Sequence, residues 1–69
     1  MAKNLRLKAA RVAIGLTQQQ LADDVGVTRQ TVNAIEQGKY NPTISLCLAL
    51  CRRTGKTLDD LFWEDNHEI

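Results

Sequence analysis

Residues 18–37 read QQQLADDVGVTRQTVNAIEQ, and the order of residue types in this stretch decides the fold. Leu21, Ala22 and Val25 recur at the spacing of one helical face. Thr17 with Gln20 three positions on has the form of a capping box. Gly26 closes this helix, because glycine takes left-handed backbone at a helix end without a Cβ penalty. Thr28 is then a good N-cap for a second helix over 29–37, with Val32 and Ile35 turned inward and Gly38 behind it. Two short helices joined by Gly26-Val27-Thr28 have the layout of a helix-turn-helix. In that layout Ala22 is small because the second helix crosses over it. Val25, Val27, Val32 and Ile35 fill the angle between the two.

Working outward, Gly15 ends a first helix over 4–14. Leu7, Ala10, Arg11 and Ile14 share one face of it, while Leu5, Ala9 and Val12 share another, and periodicity alone does not choose between them. After the second helix, Lys39-Tyr40-Asn41-Pro42 is a loop, since Pro42 disfavours helix just before it and suits a helix start just after. A helix over 44–54 follows, with Ile44, Cys47, Leu48, Leu50 and Cys51 on a broad apolar face. Arg52 and Arg53 suit its C-terminal end electrostatically, and Gly55 closes it. Thr57 with Asp60 starts a short fifth helix carrying Leu58, Leu61 and Phe62. Residues 63–69 have no helical period and are expected to form a tail, extended enough for one short strand. The expected class is all-α, with five helices.

The chain has 69 residues, so one domain is the ceiling. Its formal net charge is +1, but the charges are segregated. All nine bases lie in residues 1–56 beside three acids, a balance of +6. Residues 57–69 hold five acids and no base, a balance of −5. No apolar run reaches the length of about 18 residues that a membrane span needs. Lys3, Arg6, Lys8 and Arg11 break up any secretory core at the N-terminus. Two Cys make no disulfide framework, and the expected setting is a reducing cytoplasm. Cys47 and Cys51, four apart on one helical face, read as small core residues. A metal half-site or redox pair is the alternative, but a structural zinc site wants four ligands and the one His, His67, sits in the tail. With no Gly-rich phosphate loop and no nucleophile constellation, an enzyme is not expected, and neither is a cofactor. A chain this short is near the lower limit for a self-sufficient core, and dimerisation is a common remedy.

The exposed positions of the second helix of the pair are Arg29, Gln30, Thr31, Asn33 and Ala34. Arg can fork onto guanine, and Gln and Asn onto adenine, in the major groove. The N-terminal end of such a helix is the end expected to face the bases. With GLTQQQLADDVGVTRQTVNAIEQGKYNP, an Ile/Leu-rich helix and LDDLFW read together, the chain resembles the Xre family, the phage-repressor and Cro-like helix-turn-helix regulators. The resemblance covers almost the whole chain and no part of the motif is missing.

That resemblance implies a five-helix, lambda-repressor-like domain over 1–62, with the helix-turn-helix at 18–37, binding operator DNA as a symmetric homodimer. It turns Leu7, Ala10 and Ile14 of the first helix inward. It implies base reading by Arg29, Gln30 and Asn33, with Thr31 near the backbone or a thymine methyl. Gln18 and Thr28 would touch phosphates, and Lys39, Tyr40 and Asn41 would grip the DNA backbone. Arg11 and Glu36 occupy positions that pair as a salt bridge in similar domains. Trp63, Ile69, Phe62 and Leu46 are the expected dimer surface, with 63–69 as a strand pairing with its two-fold mate. A repressor is the expected role. The alternative is an antitoxin-like interaction module, for which a thirteen-residue acidic tail is short.

Overall fold

The structure is a computed structural model that describes residues 4–62. They form five helices in chain order: α1 (Leu5–Ala13), α2 (Gln18–Val25), α3 (Arg29–Glu36), α4 (Ile44–Thr54) and α5 (Leu58–Phe62). The expected tail at 63–69, including Trp63 and Ile69, lies outside the described residues. Every helix start carries its own stop on the chain's freedom. The side chains of Asn4, Thr17, Thr28 and Thr43 each accept a hydrogen bond from a first-turn backbone N–H of the helix that follows. Thr17 and Gln20 complete the reciprocal box read from the sequence. Thr57 and Asp60 make another, with the Thr57 amide donating to Asp60 Oδ2 at 3.0 Å and the Asp60 amide donating to Thr57 Oγ1 at 3.1 Å. Such caps satisfy amides that have no partner inside a helix.

The helix ends follow the glycines. Gly26 sits at φ 81° between α2 and α3, where its amide bonds the Ala22 carbonyl. That left-handed turn is strained for a residue with a Cβ, and it lets α3 fold back across α2. The core is then assembled from all five helices: Leu7 and Ala10 of α1, Leu21 and Ala22 of α2, Val32 and Ile35 of α3, Leu50 and Cys51 of α4, and Leu61 of α5. Leu16, Val25, Val27, Leu46 and Phe62 pack around it. Ala22 is fully buried, as its place under the α3 crossing requires.

Three expectations need correction. Ile14 does not turn inward; it is 43% exposed. The α1 helix stops at Ala13, Ile14 is its cap, and Gly15 turns left-handed at φ 75° just beyond. The chain therefore leaves the helical path one residue before Ile14 could reach the inner face. Leu16 takes up the packing there, and Arg11 is the third buried residue of α1 beside Leu7 and Ala10. The apolar face of α4 is also narrower than its sequence suggests. Cys47, Leu50, Cys51 and Thr54 are buried, whereas Ile44 is 70% exposed and Leu48 is exposed. Ile44 is the first residue of the helix and lies beyond the reach of the core. The α3 helix ends at Glu36, with Gln37 as its cap rather than its last residue.

Both cysteines are free thiols in buried positions. Burial pushes the Cys47 thiol up, with Cys51 nearby adding to it. Burial does the same to Cys51, with the Asp60 carboxylate adding to it. Small apolar packing, not thiolate chemistry, is what such sites favour. Among the described residues, no group of three or more His, Cys, Asp or Glu is placed to hold a metal ion, and no helix is long and apolar enough to cross a membrane.

Candidate nucleic-acid interface

The α2–α3 pair is held from beneath by Leu21, Ala22, Val32 and Ile35, which leaves the opposite side of α3 to solvent. Arg29, Gln30 and Asn33 are exposed there, and Thr31 is half-buried. Positions three and four apart on a helix are neighbours, so Arg29 and Asn33, and likewise Gln30 and Asn33, share one surface. The structure thus brings the three expected base readers together at the N-terminal and middle turns of α3. Ala34 is half-buried, less open than the sequence suggests.

The Thr28 hydroxyl accepts from the Thr31 amide at 3.2 Å and lies 3.1 Å from the Thr31 hydroxyl. This pair fixes the first turn of α3. Lys39, Tyr40 and Asn41 follow α3 as an exposed run, with the Tyr40 side chain standing out from the body at 44% exposure. The Lys39 amide bonds the Ala34 carbonyl at 2.9 Å, which ties the start of this loop to the helix it follows.

Behind the exposed face lies the expected ion pair. Arg11 Nε donates to Glu36 Oε2 at 2.8 Å, and Arg11 Nη2 donates to Glu36 Oε1 at 3.2 Å. Arg11 Nη1 donates to the Leu16 carbonyl at 2.9 Å. The side chains are 10% and 3% exposed, so the bridge is buried and bidentate, the arrangement that fixes geometry best. The Asn4 amide closes on the Glu36 carbonyl at 3.0 Å. Helix α1 is thereby locked to the end of α3 at both side chain and backbone. Every buried side-chain nitrogen and oxygen among the described residues has a hydrogen-bond partner.

One connection in this region is not visible in the sequence. Gln18, at the first position of α2, sends its side-chain Nε2 to Asn33 Oδ1 and to Glu36 Oε1, both at 3.1 Å. The residues lie 15 and 18 positions apart, so no local spacing rule points to them. A second such link is Arg53 Nε to Asp24 Oδ2 at 2.6 Å, joining the end of α4 to α2. Arg6 Nη1 also donates to the Asp59 carbonyl at 3.3 Å, joining α1 to α5. Arg6 and Arg53 are therefore engaged in joining helices. Of the expected dimer residues, Leu46 and Phe62 are half-buried against the core.

Comparison with known proteins agrees with this geometry. A family model described as Helix-turn-helix matches residues 7–61. The chain is 43% identical over 58 residues to an HTH-type transcriptional regulator of Bacillus subtilis, YgzD, with 84% of this chain and 88% of that one covered. It is 39% identical over 64 residues to an HTH-type transcriptional regulator of Archaeoglobus fulgidus, covering 93% and 91%. Among solved structures, it superposes on the restriction-modification controller protein C.AhdI of Aeromonas hydrophila with a TM-score of 0.76 at 33% identity, covering 83% of this chain and 86% of that one.

Proposed function

Because the chain belongs to the helix-turn-helix family and is a transcriptional regulator with a DNA-binding domain of that kind, we propose that it is a repressor that binds a palindromic operator as a homodimer. The observation that carries the reading is the exposed cluster of Arg29, Gln30 and Asn33 on an α3 helix whose other face is sealed into the core. Residues with forked hydrogen-bonding ends, held on a rigid short helix, have the chemistry of major-groove readout.

In this reading residues 1–62 are the DNA-binding domain. Arg29, Gln30 and Asn33 read bases, with Thr31 beside them. Thr28, Lys39, Tyr40 and Asn41 hold the phosphate backbone, and these contacts set register while the base contacts set sequence. Gln18 joins the phosphate set through the backbone at the start of α2, where amides lack helical acceptors and the helix end is positive. Its side-chain hydrogens are already spent on Asn33 and Glu36. Two recognition helices about one turn of DNA apart, ~34 Å, would enter successive major grooves. Occupancy of a promoter by that dimer excludes polymerase, which is why the proposed sign is repression.

The dimer surface in this reading is Leu46 and Phe62 with Trp63, Ile69 and the rest of 63–69. A two-fold contact needs a self-complementary patch, and the acids concentrated after residue 56 keep that side away from phosphates. The proposed setting is the cytoplasm. Sedimentation equilibrium tests the assembly: a dimer at micromolar concentration is expected, and a monomer both free and on DNA contradicts it.

A further inference from the structure

We infer that Gln18 sets the hydrogen-bonding polarity of Asn33, so that Asn33 meets DNA as a donor and selects against cytosine. The inference rests on the DNA-reading role proposed for α3 and says which chemical face one of its residues presents.

The buried ion pair fixes the first orientation. The Glu36 carboxylate, forked onto the Arg11 guanidinium at 2.8 and 3.2 Å, only accepts hydrogen bonds. The end of Gln18 that approaches Glu36 Oε1 at 3.1 Å must therefore be its NH2 group. That NH2 group has two hydrogens, and its second partner is Asn33, also at 3.1 Å. The atom of Asn33 that faces a donor must be its carbonyl oxygen. A carbonyl oxygen turned toward Gln18 leaves the Asn33 NH2 group as the free end of an exposed side chain. The fixed charge of Glu36 is thus passed through two amides, and each link allows one orientation.

An asparagine free in both directions forks onto adenine, accepting from N6 and donating to N7. With Gln18 on one lone pair of its oxygen, Asn33 is held in one orientation and leads outward with its NH2 group. Its outward NH2 group pairs with acceptors only: guanine O6 or N7, adenine N7, or thymine O4. Cytosine offers a donor at its major-groove edge and is rejected. Gln18 is a positioning residue in this scheme. It touches Asn33, not the base.

The test is selection of bound sites from random duplex DNA with the native chain, Asn33→Asp and Gln18→Leu. The native profile should contain one position per half-site from which cytosine is depleted. Asn33→Asp keeps an acceptor toward Gln18 but presents an oxygen outward, and should switch that position to cytosine, whose amino group a carboxylate accepts from. Gln18→Leu removes the NH2 bridge, and should let the same position admit cytosine as well while the other positions keep their preferences. Gln18→Ala removes the same donor should the leucine variant not fold. A Gln18→Leu profile identical to the native one, with affinity lowered alike for all sequences, would overturn the inference and leave the DNA-reading role intact. No enriched motif for the native chain would overturn that role and the inference with it.

Discussion

Arg11 and Glu36, 25 residues apart in sequence, meet through two nitrogens and two oxygens at 2.8 and 3.2 Å in a site nearly closed to water. The pair ties α1 to the last turn of the recognition helix, and through Gln18 it also reaches the exposed face. Its worth is orientation more than stability, because taking two charges out of water offsets most of their attraction.

Breaking the pair by one side should therefore be costly. Arg11→Ala leaves a buried carboxylate without its cation, and a loss of about 3–5 kcal/mol is expected. The double variant Arg11→Met with Glu36→Leu should lose much less than the two single changes together, since no charge is left stranded. Urea denaturation of the native chain, Arg11→Ala, the two single changes Arg11→Met and Glu36→Leu, and the double variant checks this. Additive losses would show that the two residues do not interact as the geometry states.

Thr28 holds the first turn of α3 by accepting from the Thr31 amide. Thr28→Ala should destabilise the fold by about 1 kcal/mol, the usual worth of such a cap. Thr28→Ser keeps the hydroxyl and should restore most of it. Thermal melts of the three chains measure the effect, and an unchanged midpoint for the alanine variant would contradict the capping role.

The Asp60 carboxyl is held below its ordinary value, first by the Thr57 backbone N–H and then by the Thr57 hydroxyl, with Lys56 and Arg6 adding smaller attractions. A carboxylate lowered in the folded state contributes stability above its unfolded pKa, and that contribution is lost as pH falls through the folded value. Acidification should therefore weaken the α5 cap, and Asp60→Asn should remove this part of the pH dependence. Denaturation midpoints between neutral and acid pH test it; parallel curves for native and variant chains would contradict it.

Base and phosphate contacts separate by their salt dependence. Gln30→Ala should weaken binding to the preferred site by about 1–3 kcal/mol and relax one base position. Lys39→Ala should weaken binding to all sequences alike and reduce the slope of log K against log salt by about 1. Titrations at several salt concentrations decide between these outcomes, and an unaltered slope for the Lys39 variant would remove it from the phosphate contacts.

The helices were legible because their ends are written locally. Gly15, Gly26, Gly38 and Gly55 all adopt positive φ, each after a helix or its cap, and Thr17, Thr28 and Thr57 cap where their spacing implies. The faces were less legible. Leu7 and Leu5 have the same chemistry and periodicity does not separate them; family resemblance turned Leu7 inward, and the structure buries it and exposes Leu5. Ile14 and Ile44 are apolar and in period, but both sit at a helix end, where the chain is leaving or has not yet reached the core. The Arg11–Glu36 pair came from family resemblance rather than from spacing. The Gln18 bridge came from neither, because it depends on how α2 and α3 cross.

In the proposed function α3 reads a defined sequence as one half of a two-fold pair. Selection of bound duplexes from a random pool by the native chain tests it most directly. The expected result is a palindrome whose half-sites are centred about one turn of DNA apart, ~34 Å along the helix axis. Recovery of duplexes with no shared motif would contradict the account.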